Sequence, residues 1–202
     1  MEIIKSINNE SNPKRSLGDI KAVVCHHTGS TGSDEANKKY LNKDDYISAH
    51  YMVGKDGKIY QLMDLDRIAY HAGVSEWKGL KTKGNSLNWC TVGIEINSDG
   101  QTFTNAQRRA TKTLIIKLME DYNIEPELVL RHKDIAPGRK VDVGMNFYNN
   151  QFDSWEEYQK NLRATMEAIK YNKDSWVLAK NNNISEIMIM TSQSAKIIRE
   201  NL

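Results

Sequence analysis

Apolar residues fall in short runs along this chain, and the runs change period from two to 3.6 and back. Ala22-Val23-Val24-Cys25 is continuous, four residues long, and ends in His26-His27. A run of that length predicts a buried strand. Thr91–Asn97 alternates, with Val92, Ile94 and Ile96 on one face and Gly93, Glu95 and Asn97 on the other, so it predicts a second core strand. Ser48–Gly54 and Lys58–Leu62 flank Lys55-Asp56-Gly57, and Asp-Gly supports the positive φ of a tight hairpin turn. In the first arm Ala49, Tyr51 and Val53 alternate with His50 and Met52. Glu2–Ile7 reads as an edge strand or arm, and Leu128–Leu130 as a short strand that delivers His132.

The helical period appears between these pieces. Ser33–Lys43 predicts a short helix with Ala36, Tyr40 and Leu41 on one side. Thr104 and Gln107 form a capping box, and Ala106, Ala110, Leu114, Leu118 and Tyr122 follow at four-residue steps. That predicts an amphipathic helix of about 18 residues, with Arg108, Arg109, Lys112 and Lys117 on its solvated face. Ser154-Trp155-Glu156-Glu157 opens another capped helix, with Trp155, Tyr158, Leu162, Met166 and Ile169 as its stripe. Residues 78–90 have no period and read as a surface loop, and residues 171–183 read as a linker. Beyond them Ile184, Ile187, Met188, Thr191, Ala195 and Ile198 recur at helical spacing, although Ile187–Met190 alone also suits a strand. That stripe needs a cover: its own domain, a second copy of the chain, or a cell wall.

Composition narrows the class. A chain of 202 residues with 39% apolar content suits one domain with an appendage, divided as 1–172 and 173–202. No stretch approaches the ~20 apolar residues of a membrane span. The start, MEIIKSINNESNPKRS, has no apolar h-region, so no secretory signal is expected. A net charge of +2 leaves no nucleic-acid footprint. Cys25 and Cys90 make no disulfide framework and read as small buried hydrophobes, which fits a reducing cytoplasm.

The chemistry concentrates in residues 131–144, RHKDIAPGRKVDVG, where Pro137-Gly138 forces a turn between His132 and Asp142. A histidine and an aspartate so placed cannot share a helix face, but they converge if the loop folds back. Imidazole nitrogen and carboxylate oxygen are good zinc ligands, and a catalytic zinc usually has three protein ligands. The best third donor is the pair His26-His27. Alternation along the strand sends Cys25 and His27 to one side and His26 to the other, which favours His26.

Five blocks carry a resemblance: VVCHHTGS (23–30), SAHY (48–51), YHAGVSEW (70–77), VGIEIN (92–97) and RHKDIAPGRKVDVG (131–144). In this order they resemble the zinc-dependent N-acetylmuramoyl-L-alanine amidases of the type-2 group, relatives of phage lysozyme-amidases and peptidoglycan recognition proteins. The resemblance implies an α/β fold, a mixed central sheet flanked by helices on both faces; the C-terminal helical tail, read from its own spacing, lies beyond the last of these blocks. It implies hydrolysis of the amide between N-acetylmuramic acid and L-alanine. Zinc would be held by His26, His132 and Asp142, with Glu95 as general base and Lys140 stabilising the oxyanion. His71 and Trp77 would line the substrate groove, and His50 is a candidate for its edge. Two departures stand out. Ala49 replaces a tyrosine found in many relatives, and Val143 replaces the proline of Asp-Pro-Gly, which loosens that loop without removing a ligand.

The implied partner is peptidoglycan or a muropeptide. The implied role is a phage or prophage endolysin, cytoplasmic until release, or else a cytosolic muropeptide-recycling amidase. A non-catalytic recognition module is a third reading, opposed by the presence of Asp142 and Lys140. A zinc peptidase of another kind has no HExxH helix to support it.

Overall fold

The computed structural model describes residues 2–7, 11–42, 47–148 and 151–182. The apolar stripe at Ile184, Ile187, Met188, Ala195 and Ile198, with the three covers weighed for it, lies outside the described residues. The chain divides into two compact units between Asp153 and Ser154.

In the first unit the elements run in the order β1 (Ile3–Lys5), β2 (Ala22–His27), α1 (Asp34–Leu41), β3 (Tyr51–Val53), β4 (Ile59–Gln61), β5 (Thr91–Ile96), α2 (Asn105–Tyr122), β6 (Val129–Arg131) and α3 (His132–Ile135). The six strands form one mixed sheet in the order β1-β4-β3-β5-β2-β6. Among these six strands of the described residues only the hairpin pair β3–β4 is antiparallel. Its turn follows the Asp-Gly signal: Gly57 has φ +83°, and the Gly54 N–H donates to the Lys58 carbonyl at 2.9 Å. A Cβ on Gly57 would also meet the Ala106 carbonyl oxygen at 2.9 Å, so turn geometry and close approach both require glycine.

The two strands expected in the core are central neighbours. β2 and β5 run parallel, with Cys25 beside Ile94 and His26 beside Glu95. β3 continues the second row, with Met52 beside Glu95. One sheet face therefore carries Val24, His26, Glu95 and Met52. Ile135 of α3 packs with Ala22, Val24 and Leu130 there, and Leu41 of α1 packs with Met52 and Leu62. The other face carries Cys25, Ile94 and Tyr51. Tyr51 lies within electrostatic reach of Tyr122 and Asp121 at the end of α2. Helices thus cover both faces.

α2 runs 18 residues from a complete capping box at Thr104 and Gln107 to Asn123, which closes it in the left-handed region. Its buried stripe is wider than four-residue steps suggest and adds Ile115, Ile116 and Met119 to Leu114 and Leu118. Each such side chain contributes roughly 1.5–3 kcal/mol over its exposed state. Two of the four cations expected on the solvated face are not there. Lys112 is buried, which pulls its ammonium down to about 8, and Arg108 donates from Nε to the Phe147 carbonyl at 2.6 Å.

Three other expectations change. In α1 the buried residues are Asn37 and Leu41, while Tyr40 is 56% exposed. Residues 78–90 are surface loop only in part, because Leu87 and Cys90 enter the core. Burial keeps the free Cys90 thiol up at about 11 and Cys25 at about 12, so both act as buried hydrophobes. In the second unit α4 (Trp155–Asn182) continues through residues 171–182 where a linker was expected. The Glu157 N–H donates to the Ser154 hydroxyl at its start, and the Trp155 and Tyr158 rings meet at a tilt of 43° with 5.0 Å between centroids. Among the described residues no helix is long and apolar enough to cross a membrane.

Candidate active site

The site is built at the C-terminal ends of β2, β5 and β6, on the sheet face opposite Cys25. β2 delivers His26, which is 1% exposed, while His27 turns to the far face beside Phe103. β6 delivers His132 at the first position of α3. The chain then bends at Pro137-Gly138, where Gly138 has φ +75°, and returns so that the Lys133 N–H donates to the Asp142 carbonyl at 2.6 Å. That fold-back sets the Asp142 carboxylate against both imidazoles.

The convergence is tight. His26 Nδ1 and His132 Nδ1 are 2.9 Å apart, and Asp142 Oδ2 lies 3.2 Å from the first and 3.1 Å from the second. Donor atoms arranged tetrahedrally around an ion at ~2.0–2.2 Å would sit ~3.3 Å apart. The far nitrogens decide what the near ones carry. His132 Nε2 faces the Ala72 carbonyl at 3.1 Å and must donate to it, so in the neutral ring its Nδ1 is a bare lone pair. Burial pulls the His26 imidazole down to about 4, so that ring is neutral at pH 7. Asp142 Oδ2 faces both of these ring nitrogens, at 3.2 and 3.1 Å. Electron-rich atoms thus face one another across a gap that suits a cation. Among the described residues these three form the group that can hold a metal ion.

Glu95 stands next to His26 on the neighbouring strand, on the same face. Its Oε2 is buried and has no hydrogen-bond partner. Burial pushes its carboxyl up to about 8; the Asp142 charge adds to the rise and the Lys140 charge opposes it. Lys140 acts on His26 as well, and its side chain lies on the exposed segment 137–141. An orphaned buried oxygen beside three electron-rich donors is what a site built for a cation and a water would leave.

The three side chains expected to touch substrate sit differently. His50 is fully buried; its Nδ1 accepts from the Gly93 N–H at 3.0 Å and its Nε2 faces the Arg67 carbonyl at 3.1 Å and Arg15 at 2.8 Å. His71 is buried too, with Nδ1 at 2.9 Å from His26 Nε2 and Nε2 at 3.1 Å from the Thr91 hydroxyl. Neither ring has a nitrogen free for a substrate, which corrects both expectations: these histidines support the site from beneath. Trp77 is half-buried and packs on the cluster formed by Val24, Leu130 and Ile135.

Sequence reasoning missed Arg139. Its Nη2 donates to the carbonyls of Ala72 at 2.8 Å and Val74 at 2.6 Å, so it braces the carbonyl that orients His132. No periodic or motif signal marks that contact.

A family model described as N-acetylmuramoyl-L-alanine amidase matches residues 16–145. The chain is 34% identical over 172 residues to N-acetylmuramoyl-L-alanine amidase AmiD of Escherichia coli (strain K12), covering 76% of this chain and 57% of that protein. It is 34% identical over 119 residues to 1,6-anhydro-N-acetylmuramyl-L-alanine amidase AmpD of Haemophilus influenzae, covering 58% of this chain and 59% of that protein. The chain therefore spans less than two thirds of the length of these relatives. Among solved structures it is similar to the Escherichia coli AmiD complex with anhydro-N-acetylmuramic acid-L-Ala-D-gamma-Glu-L-Lys, with a TM-score of 0.57, 31% identity, and coverage of 69% of this chain and 56% of that one. A mutant endolysin from Bacillus subtilis matches with a TM-score of 0.56 and 25% identity over 78% of this chain and 97% of that one.

Proposed function

Because the chain belongs to the N-acetylmuramoyl-L-alanine amidase family, we propose that it hydrolyses the amide between the lactyl carbonyl of N-acetylmuramic acid and the amine of L-alanine. The observation that carries this reading is the meeting of His26 Nδ1, His132 Nδ1 and Asp142 Oδ2 beside the unpartnered Glu95 Oε2. The donor set of two imidazoles and one carboxylate fits zinc in a catalytic site, which takes three protein ligands and leaves one position open. A zinc ion held there supplies Lewis acidity, lowering the pKa of water towards ~7 and polarising a carbonyl.

The remaining chemistry belongs to the chain. Glu95 takes the proton of the attacking water as its oxygen bonds to the lactyl carbon. It returns that proton to the leaving nitrogen as the C–N bond breaks, giving a free lactyl acid and a free L-alanine amine. Burial raises the Glu95 carboxyl above the usual carboxylate range, which makes it a stronger base than an exposed glutamate, and a bound cation would favour the carboxylate form that takes the proton. The Lys140 ammonium faces the carbonyl oxygen and offsets its developing charge. Trp77, half-exposed above the core, offers a flat apolar surface to a sugar ring.

Two biological roles follow from the same chemistry. An endolysin would act on intact walls. The similarity to proteins named for 1,6-anhydro-muramyl substrates favours a second role, muropeptide recycling. Mass spectrometry of intact walls and of soluble anhydro-muropeptides, digested in parallel, separates them. New lactyl carboxylates with released L-alanine amines are expected. Cleavage of the soluble substrate alone supports recycling, and cleavage of both supports an endolysin. Absence of both products, or cleavage at another amide, would overturn the reading.

A further inference from the structure

His71 and Thr91 lie behind the ligand cluster, and their hydrogen bonds admit one direction. The Leu87 carbonyl can only accept, so the Thr91 hydroxyl donates to it, at 2.9 Å. With its proton committed, the Thr91 oxygen accepts from His71 Nε2 at 3.1 Å. A neutral His71 with its proton on Nε2 has a bare Nδ1, which accepts from His26 Nε2 at 2.9 Å. A neutral His26 with its proton on Nε2 has a bare Nδ1, the atom 2.9 Å from His132 Nδ1. Each link removes one choice, and a backbone carbonyl sets the first.

The surroundings keep the chain of bonds dry and unambiguous. Thr91 is fully buried, His71 is 8% exposed and His26 is 1% exposed, so water does not compete for these contacts. Gly93 makes room for the middle link: a Cβ there would stand 2.5 Å from His71 Cγ. Asn88 fixes the loop, its Oδ1 accepting from the His71 N–H at 3.1 Å and the Ala72 N–H at 2.7 Å.

We infer that His71 is a positioning residue and that Thr91 selects its tautomer, the two together presenting His26 as an Nδ1 donor to the metal. The inference rests on the metal reading of the site given above. Groups placed one bond behind a metal-bound imidazole change metal affinity by 10- to 100-fold when lost. Thr91 acts one link further back, so the low end applies to it, and the effect reaches the metal only through two tautomers. Removing the Thr91 hydroxyl frees His71 to carry its proton on Nδ1, where it opposes the His26 Nε2 proton.

The test compares wild-type protein with Thr91→Val, Thr91→Ser, His71→Gln and His71→Ala. Zinc affinity is measured by competition with a chromophoric chelator, and the fold of each metal-free variant by thermal melting. The expected result is about tenfold weaker zinc binding in Thr91→Val and wild-type binding in Thr91→Ser. His71→Gln keeps an acceptor oxygen for His26 and should bind more tightly than His71→Ala. Long-range ¹H–¹⁵N spectra of the unmodified metal-free protein give an independent readout that needs no variant. Nε2 protonation is expected in both His26 and His71. Nδ1 protonation of His71 in the wild type, or equal zinc affinity in Thr91→Val and wild type, would overturn the inference. Failure of the wild type to bind zinc would instead overturn the metal reading itself.

Discussion

Replacing Glu95 by glutamine should stabilise the metal-free protein at neutral pH. The Glu95 carboxyl is buried, its Oε2 has no partner, and burial pushes its pKa up to about 8. In the unfolded chain a glutamate titrates near ~4.3. Between those values the folded state holds a proton that the unfolded state has released. Stability from this group is therefore full below ~4.3 and is lost as pH rises towards about 8. At pH 7 the loss is about 3 kcal/mol, from roughly 2.5 pH units at 1.36 kcal/mol each. Glutamine keeps the shape and never ionises. Thermal melts in chelator across pH 5.5–8.5 read the effect, and about 3 kcal/mol corresponds to roughly 6–12 °C in a domain of this size. Glu95→Gln should melt higher than wild type at pH 7 and should be the flatter of the two between pH 6.5 and 8. Added zinc should narrow or reverse the gap, because a nearby cation favours the carboxylate. A gap that does not change with pH, or a glutamine variant that is less stable throughout, would refute the assignment of Glu95 as a buried, unpaired acid.

Three further outcomes follow from the same geometry. The acid limb runs the opposite way: burial lowers His26 to about 4 and holds His50 and His71 well below 6.5, so the folded state binds fewer protons than the unfolded one. Metal-free stability should therefore fall below pH ~6.5; the three histidines contribute up to about 4 kcal/mol per pH unit while all resist protonation, and the proton held by Glu95 in the same window offsets about 1.4 of it, which denaturant titrations at pH 6.5 and 5.5 will read. Lys140→Ala should leave zinc affinity nearly unchanged and lower kcat by about 10²–10³, the usual share of an oxyanion donor, whereas His26→Ala, His132→Ala or Asp142→Ala should each lose the metal by elemental analysis. Gly93→Ala should cost about 1–3 kcal/mol in denaturation and weaken zinc binding, because the new methyl meets the His71 ring and not the backbone.

The sequence was most legible where one element decides the answer. Thr104 and Gln107 marked the start of α2, Asp56-Gly57 marked the hairpin, and strand alternation separated His26 from His27 and put Glu95 opposite Ile94. It was less legible where a second element supplies the cover. Tyr40 shares a helical row with apolar neighbours yet faces solvent, because the partner cluster of α1 receives Leu41 alone. Lys112 lies on the expected solvated face of α2 and is nevertheless buried. Residues 171–182 continue the helix although Asn172, Asp174, Ser175, Asn181 and Asn182 are weak helix formers that read as a linker. His50 and His71 were readable as site residues but not as buried ones. A histidine in a loop motif looks the same whether it faces a ligand or another histidine.

One cause runs through the candidate site. Burial keeps His26 neutral, the His71 acceptor places its one proton on Nε2 and so leaves Nδ1 bare, and burial keeps the Glu95 carboxyl above the usual carboxylate range in the absence of a cation. The same burial sets two imidazole nitrogens and a carboxylate oxygen at 2.9–3.2 Å from one another, an arrangement that needs a proton or a cation between them. Each feature costs stability in the metal-free protein, and each is relieved by positive charge at one point. Metal binding should then appear as folding stability, because a ligand that binds only the folded state adds RT ln(1 + [L]/Kd) to it. The hydrogen bonds of His71 and Thr91 make that relief specific: they turn His26 so that its lone pair, and not its N–H, meets the incoming charge.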